Sequence, residues 1–223
     1  MTDGAQHLRV VRFPWRDLRE QLEAFRQRWP DALADARGWV FAPPAGGARL
    51  RVPLAATRVR PGEPIAAYAS RVGEQLDRQI VVLLQAGAAA IGYWDGDELL
   101  DHKAMRKYVV RGRGRAQPLH LKTCGKSRYG SRLRLQNWRR LLTEVNERLR
   151  QCWEEFGEPE RVFYGAPVRV WVDLFAAEPS PPFRRDAAFL QRVPMHVHRP
   201  DFGELRRVRG WLQYGRLELP FDA

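Results

Sequence analysis

Residues 111 to 130 read RGRGRAQPLHLKTCGKSRYG, a stretch with no carboxylate, a single neutral amide at Gln117, and the cations Arg111, Arg113, Arg115, Lys122, Lys126 and Arg128. A glutamine side chain is a poor acid or base. It can still hold a water or hydroxyl group while its NH2 meets developing negative charge. Set among cations, that amide suits attack on an ester or phosphodiester carried by a bound polyanion. Gly112 and Gly114, just before it, allow the backbone to approach such a ligand closely. Two histidines, His102 and His120, titrate near neutrality and could accept or donate a proton. On residue type alone, a loop glutamine such as Gln117 is usually just a solvated side chain, and His102 reads at least as well as a structural hydrogen-bonding residue at a strand end.

The charge distribution points to the same segment. The chain of 223 residues carries a formal charge of +12. Between His102 and Arg140 there are thirteen Lys or Arg and no Asp or Glu, whereas the remaining 25 cations face 26 acidic residues. All four lysines (Lys103, Lys107, Lys122 and Lys126) lie in this segment. Ammonium groups approach single phosphate oxygens as point charges, whereas guanidinium groups engage as planar forks. With Tyr108, Tyr129 and Trp138 at its margins, the segment has the composition of a nucleic-acid contact: cations for phosphates and rings for unstacked bases. A solvated charge run is the plain alternative, although such runs usually mix signs. Lys103, Arg106, Lys107, Arg132 and Arg134 complete the candidate RNA-binding set.

Several other chemistries fail on spacing. The tripeptide Gly125-Lys126-Ser127 lacks the glycine five positions earlier that a phosphate-binding loop needs, because His120 stands there. No third glycine follows Gly112 and Gly114 to make a dinucleotide fingerprint. Two cysteines, Cys124 and Cys152, without Cys-x-x-Cys spacing or a nearby histidine pair, indicate free thiols and no structural metal. Asp95, Asp97, Asp101 and Asp173 are the carboxylates that a Mg2+-dependent nuclease of the ribonuclease H type could use. Turn chemistry around one hairpin explains two of them. No apolar run approaches the roughly 20 residues needed to span a bilayer, and the first residues lack a signal pattern, so a cytoplasmic protein without membrane partners is expected.

The elements that would position the segment follow from periodicity. Trp15, Leu18, Leu22, Phe25 and Trp29 recur at helical spacing up to Pro30. Residues 37–62 mix short β-type runs with Pro and Gly, and a short helix is expected over 64–77. QIVVLLQAG reads as a buried strand, and two extended runs flank the turn dipeptide Asp95-Gly96. The third of these strands leads into the basic segment. Beyond it, Trp138, Leu141, Leu142, Val145, Leu149, Cys152, Trp153 and Phe156 form one helical stripe, stopped at Gly157 and Pro159. VRVWVDLF and VPMHVHR are expected as strands, 201–214 as a helix and GRLELPF as an edge strand. The order describes an α/β fold with a mixed β-sheet and helices packed on it. The expected division is an N-terminal helix and hairpin portion, 1–62, and a domain over 63–223 that carries the basic loop 111–130.

Residues 87–153 resemble the catalytic domain of the Vms-like release factors, the VLRF family, which is related to the middle domain of the eukaryotic and archaeal peptide chain release factor. The resemblance rests on the strand-turn-strand before the loop, the HK…RKYVVR entry, the Gly114-x-x-Gln117 step, Lys126-Ser127 near the loop's end, and the helix opening RLRLQN. It implies the release-factor middle-domain fold, with a ribonuclease H-like layout. It also implies a metal-independent enzyme that frees stalled nascent chains by cleaving peptidyl-tRNA at or near its CCA end. Peptidyl-tRNA and the large ribosomal subunit would be the partners, with no cofactor, and Gln117 would match the catalytic glutamine. Termination factors carry two glycines immediately before that glutamine; Arg115 and Ala116 stand there in this chain, which favours the VLRF branch. Ester hydrolysis and phosphodiester cleavage both stay open. A non-catalytic RNA- or ribosome-binding module is the alternative of a different class.

Overall fold

The computed structural model describes residues 8–109 and 126–220, without the side chains of 126–129. The chain divides into two compact units: residues up to Asp77 together with those from Arg209 onward, and Arg78–Val208. The division departs from the boundary at 62/63 expected from composition. Helix α2 (Ile65–Arg71) packs beside α1 (Leu18–Arg28), and the last strand returns to the first sheet.

In the first unit, α1 buries Leu18, Leu22 and Phe25, one face at helical spacing. The sheet is antiparallel, in the order β1 (Leu8–Pro14), β10 (Tyr214–Pro220), β4 (Arg49–Arg51), β3 (Val40–Ala42), β2 (Leu33–Ala34). The expected edge strand at the C-terminal end is therefore interior, bonded to β1 on one side and β4 on the other. Helix α2 stops at Arg71, short of the expected 77, where the Gly73 N–H turns to the Thr57 hydroxyl at 3.1 Å.

The second unit is a five-stranded mixed sheet in the order β7 (Glu98–Arg106), β6 (Ala88–Asp95), β5 (Gln79–Gln85), β8 (Arg161–Gly165), β9 (Leu190–Arg192). The β5–β6–β7 meander is antiparallel, and β8 and β9 add in parallel. Strand β5 is buried from Gln79 to Leu84, as its unbroken apolar run requires at the centre of a sheet covered on both faces. Gly96 takes φ 56° in the β6–β7 turn, a conformation that glycine adopts without strain.

Helix α3 (Lys126–Phe156) crosses from β7 to β8 and buries Leu141, Leu142, Val145, Leu149 and Cys152 against the sheet. It ends where Gly157, at φ 85°, returns its N–H to the Trp153 carbonyl at 3.0 Å.

Two expected strands are not strands. VRVWVDLF forms helix α4 (Val168–Phe175), opened by Pro167 and burying Trp171 and Leu174 three residues apart. Its alternating valines suggested β-structure, yet Val168 is 68% exposed, so the packing of Trp171 and Leu174 overrides the propensity. The parallel strand is instead β8, just upstream. VPMHVHR lies beyond β9: the Val193 N–H still bonds to the Tyr164 carbonyl of β8 at 2.9 Å, but Pro194 has no N–H to donate, and the carbonyls of Val197 and His198 accept from the Gln85 side chain at 2.9 Å each. Helix α5 (Phe202–Leu212) occupies the expected place.

Candidate nucleic-acid interface at the strand-to-helix junction

Strand β7 alternates between two environments. Asp101, Met105 and Lys107 face α3: Asp101 pairs with Arg148, Met105 lies in the core formed with Leu141 and Val145, and Lys107 Nζ meets Glu144 Oε1 at 2.7 Å. His102 and Arg106 face the other way: the His102 ring lies 4.1 Å from that of Phe202, and Arg106 pairs with Asp201 at 3.6 Å. Period-two alternation dictates this split. Lys103 shares the α3 side by register and is exposed.

Immediately past β7 the chain is held to α3 at two points. Besides Lys107–Glu144, the Asn137 amide donates to the Tyr108 carbonyl at 2.8 Å. Asn137 and Glu144, seven residues apart on α3, share one helical face. The segment 110–125 therefore leaves from a point fixed against the middle of α3 and rejoins the chain at the start of the same helix. Glu144 was not singled out by sequence, and Asn137 only as the last residue of RLRLQN; their pairing with residues 107 and 108 needs the fold.

On α3, Arg132, Leu135, Gln136, Arg139 and Arg140 line a groove that continues to Thr143, Glu144 and Glu147. Arg132, Arg139 and Arg140 are exposed and make no ion pair among the described residues. Arg134 is partly covered and donates to the Ser131 hydroxyl at 3.0 Å. Leu135 is 51% and Tyr108 54% exposed, so apolar and aromatic surface is interleaved with the cations. Behind the groove, the Trp138 indole N–H donates to Asp173 at 3.3 Å, tying α3 to α4.

The expected site residues thus separate. Lys103 and Arg132 are open cations, Arg106 and Lys107 are neutralised by carboxylates, and His102 lies on the face of β7 away from α3. Gln117, His120, Gly112, Gly114, Arg111, Arg113, Arg115 and Lys122 lie outside the described residues, as do the side chains of Lys126 and Arg128 and the thiol of Cys124. Cys152 is buried, and its thiol is pushed up to about 12, mainly by that burial and then by the Asp101 carboxylate, which leaves it unreactive as a nucleophile.

Of the carboxylates considered for Mg2+, Asp101 serves Arg148 and Asp173 serves Trp138. Among the described residues no three His, Cys, Asp or Glu side chains come together. No helix among them is long and apolar enough to cross a membrane.

A mixed sheet whose edge strand feeds a cationic segment into a long packed helix is a release-factor-like layout. The model of the family described as the Bacteroidetes VLRF1 release factor, bVLRF1, matches residues 79–218, more than half of the chain, and the chain belongs to this family. Among characterised proteins, the tRNA endonuclease ANKZF1 of Mus musculus is 36% identical over 133 residues and that of Homo sapiens 32% over 132. Each match covers 58% of this chain and 18% of the relative, so the chain spans less than a fifth of the length of these proteins. The Vms1 mitochondrial localization core has the same fold, with a TM-score of 0.51 over 88% of this chain and 81% of that one at 13% identity.

Proposed function

We propose that the protein is a release-factor-like enzyme that cleaves peptidyl-tRNA at or near the CCA end, freeing nascent chains stalled on the large ribosomal subunit in the cytoplasm. The observation that carries this reading is the double tether of residues 107 and 108 to α3. From Asn137 back to Lys126 is eleven residues, about 17 Å of helix, whereas sixteen residues of chain can extend to roughly 50 Å. Sixteen residues are thus more than enough to close the gap from a base tied at two points, which suits delivery of Gln117 to the acceptor end of a bound tRNA. Cations held in ion pairs at that base serve a support better than a simple phosphate clamp.

Of the two chemistries, phosphodiester cleavage is favoured, because the ANKZF1 relatives are named tRNA endonucleases. In this route a ribose 2′-oxygen attacks the adjacent phosphorus, the 5′-oxygen of the next nucleotide departs, and a 2′,3′-cyclic phosphate remains. The 2′-hydroxyl proton passes to a base such as His120, and the leaving oxygen takes up a proton. The Gln117 NH2, with Arg111, Arg113 or Lys126, meets the charge on the phosphoryl oxygens. No metal takes part in this scheme.

Incubation with 5′-labelled peptidyl-tRNA tests it. The parent protein should release a shortened tRNA with a cyclic phosphate end, and Gln117→Ala should bind tRNA normally yet cleave at least a hundredfold more slowly. Undiminished cleavage by Gln117→Ala would refute the assignment. An intact 3′ end on the released tRNA would redirect it to ester hydrolysis.

A further inference from the structure

The first unit carries a cationic surface of its own. The registers Arg12↔Arg216 and Arg216↔Arg51 place three arginines abreast on β1, β10 and β4. The next row on that face is Val10, Glu218 and Arg49. The intervening rows hold the buried Phe13 and Leu50 and face the core, so the arginine rows lie on the opposite side of the sheet. Four arginines there meet one carboxylate. Glu218 reaches Arg216 only at 3.9 Å, and the buried Nε of Arg51 has no hydrogen-bond partner among the described residues. Like charges directly opposite one another on neighbouring strands destabilise a sheet. A bound polyanion offsets that repulsion.

On the same face Tyr214, in register with Pro14, is 52% exposed. An open aromatic ring beside a row of guanidinium planes is the chemistry that receives unstacked bases while the arginines hold the phosphates. We propose that this sheet face is a second RNA-binding site, which grips a single-stranded RNA segment through Arg12, Arg51, Arg216 and Arg49 and stacks a base on Tyr214. Most of the surface precedes residue 79, where the release-factor family match begins, and the site stands whether or not Gln117 is catalytic.

The test is fluorescence anisotropy of a labelled twelve-nucleotide single-stranded RNA on the full chain, from 50 to 300 mM salt. The triple variant Arg12→Gln, Arg51→Gln, Arg216→Gln should lose about tenfold or more in affinity. Its log-log salt slope should fall by about 2, since each phosphate contact to a single strand contributes roughly 0.7. Its thermal midpoint should hold or rise, because the repulsion is removed. Tyr214→Ala should weaken binding about fivefold or more without changing the slope. If the triple variant fails to fold, Arg12→Gln with Tyr214→Ala, two exposed positions, carries the same test with a slope change of about 0.7. As a reference, Lys103→Gln with Arg132→Gln and Arg139→Gln removes cations of the second unit, and the two triple changes should weaken binding additively.

Affinity and slope equal to the parent's in the sheet variants would overturn the proposal. So would arginine-dependent binding to phosphatidylserine vesicles together with RNA binding that ignores these residues, since the surface would then serve a membrane.

Discussion

The Lys107–Glu144 pair separates support from direct RNA contact, because the two roles predict opposite effects of one substitution. Glu144→Gln removes a carboxylate from a cationic surface. If Lys107 were a phosphate ligand held back by Glu144, the variant would bind RNA more tightly and cleave no more slowly. If the pair fixes the base of the segment, binding holds while cleavage falls. The side chains are 29% and 36% exposed, so the pair contributes only about 0.5–1 kcal/mol. The Asn137 hydrogen bond to Tyr108 adds about 1 kcal/mol. Glu144→Gln alone should therefore slow cleavage about twofold to fivefold, and Glu144→Gln with Asn137→Ala about tenfold to thirtyfold.

Single-turnover cleavage of 5′-labelled peptidyl-tRNA at saturating enzyme reads the step after binding, and anisotropy with the same tRNA reads the affinity. The exchanged pair, Lys107→Glu with Glu144→Lys, keeps the net charge and should recover most of the rate lost in either single variant. A Glu144→Gln protein that cleaves at the parental rate, or an exchange no better than the single changes, would refute the tether as a working part of the enzyme.

Glu204 accepts from Arg207 twice at 2.7 Å and from the His198 N–H at 2.6 Å, which holds its carboxyl well below the usual range, at about 2. A depressed acid stabilises the fold fully above its ordinary value of 4.5 and loses that contribution as pH falls towards 2. About 3 kcal/mol should therefore drain away across this window; thermal melts of the parent and Glu204→Gln should differ most at pH 7 and converge near pH 2, and a constant gap would contradict the coupling. His102→Ala should leave single-turnover cleavage within about twofold of the parent while lowering the thermal midpoint through the lost contact with Phe202, and a hundredfold rate loss would return His102 to proton transfer.

What the sequence could disclose followed from how local each signal is. The unbroken apolar run of β5, the Asp95-Gly96 turn and the stripe of α3 are decided within a few residues of one another, and each stands where periodicity puts it. Helix α4 was illegible because alternating valines imitate a strand, and only the slot filled by Trp171 and Leu174 decides the matter. The interior place of β10 depends on partners about 160 and 200 residues upstream, which no local pattern records. For the candidate site, net charge singles out the stretch 102–140 but not which of its cations are spent in ion pairs, since Asp201 and Glu144 lie far along the chain. The separation of His102 was available in principle: it differs by one in register from Asp101 and Lys103, and a one-residue step reverses the face.

That reversal bears on the chemistry. Arg106 and Lys107, adjacent in sequence, are anchored on opposite sides of β7, by Asp201 before α5 and by Glu144 on α3. The end of the strand thus has an ion-pair partner on each face, the closer one being Glu144. A loop whose only duty was to neutralise phosphates would gain from leaving both cations open, because each pairing forfeits a counterion-release contribution to affinity. Committing them to the protein trades binding strength for a fixed origin, and a fixed origin has value when one side chain must arrive at one bond. Catalysis sets that demand, since small misplacements of a reacting group cost far more in rate than in affinity. The pattern of paired and open cations therefore favours the enzyme over the clamp.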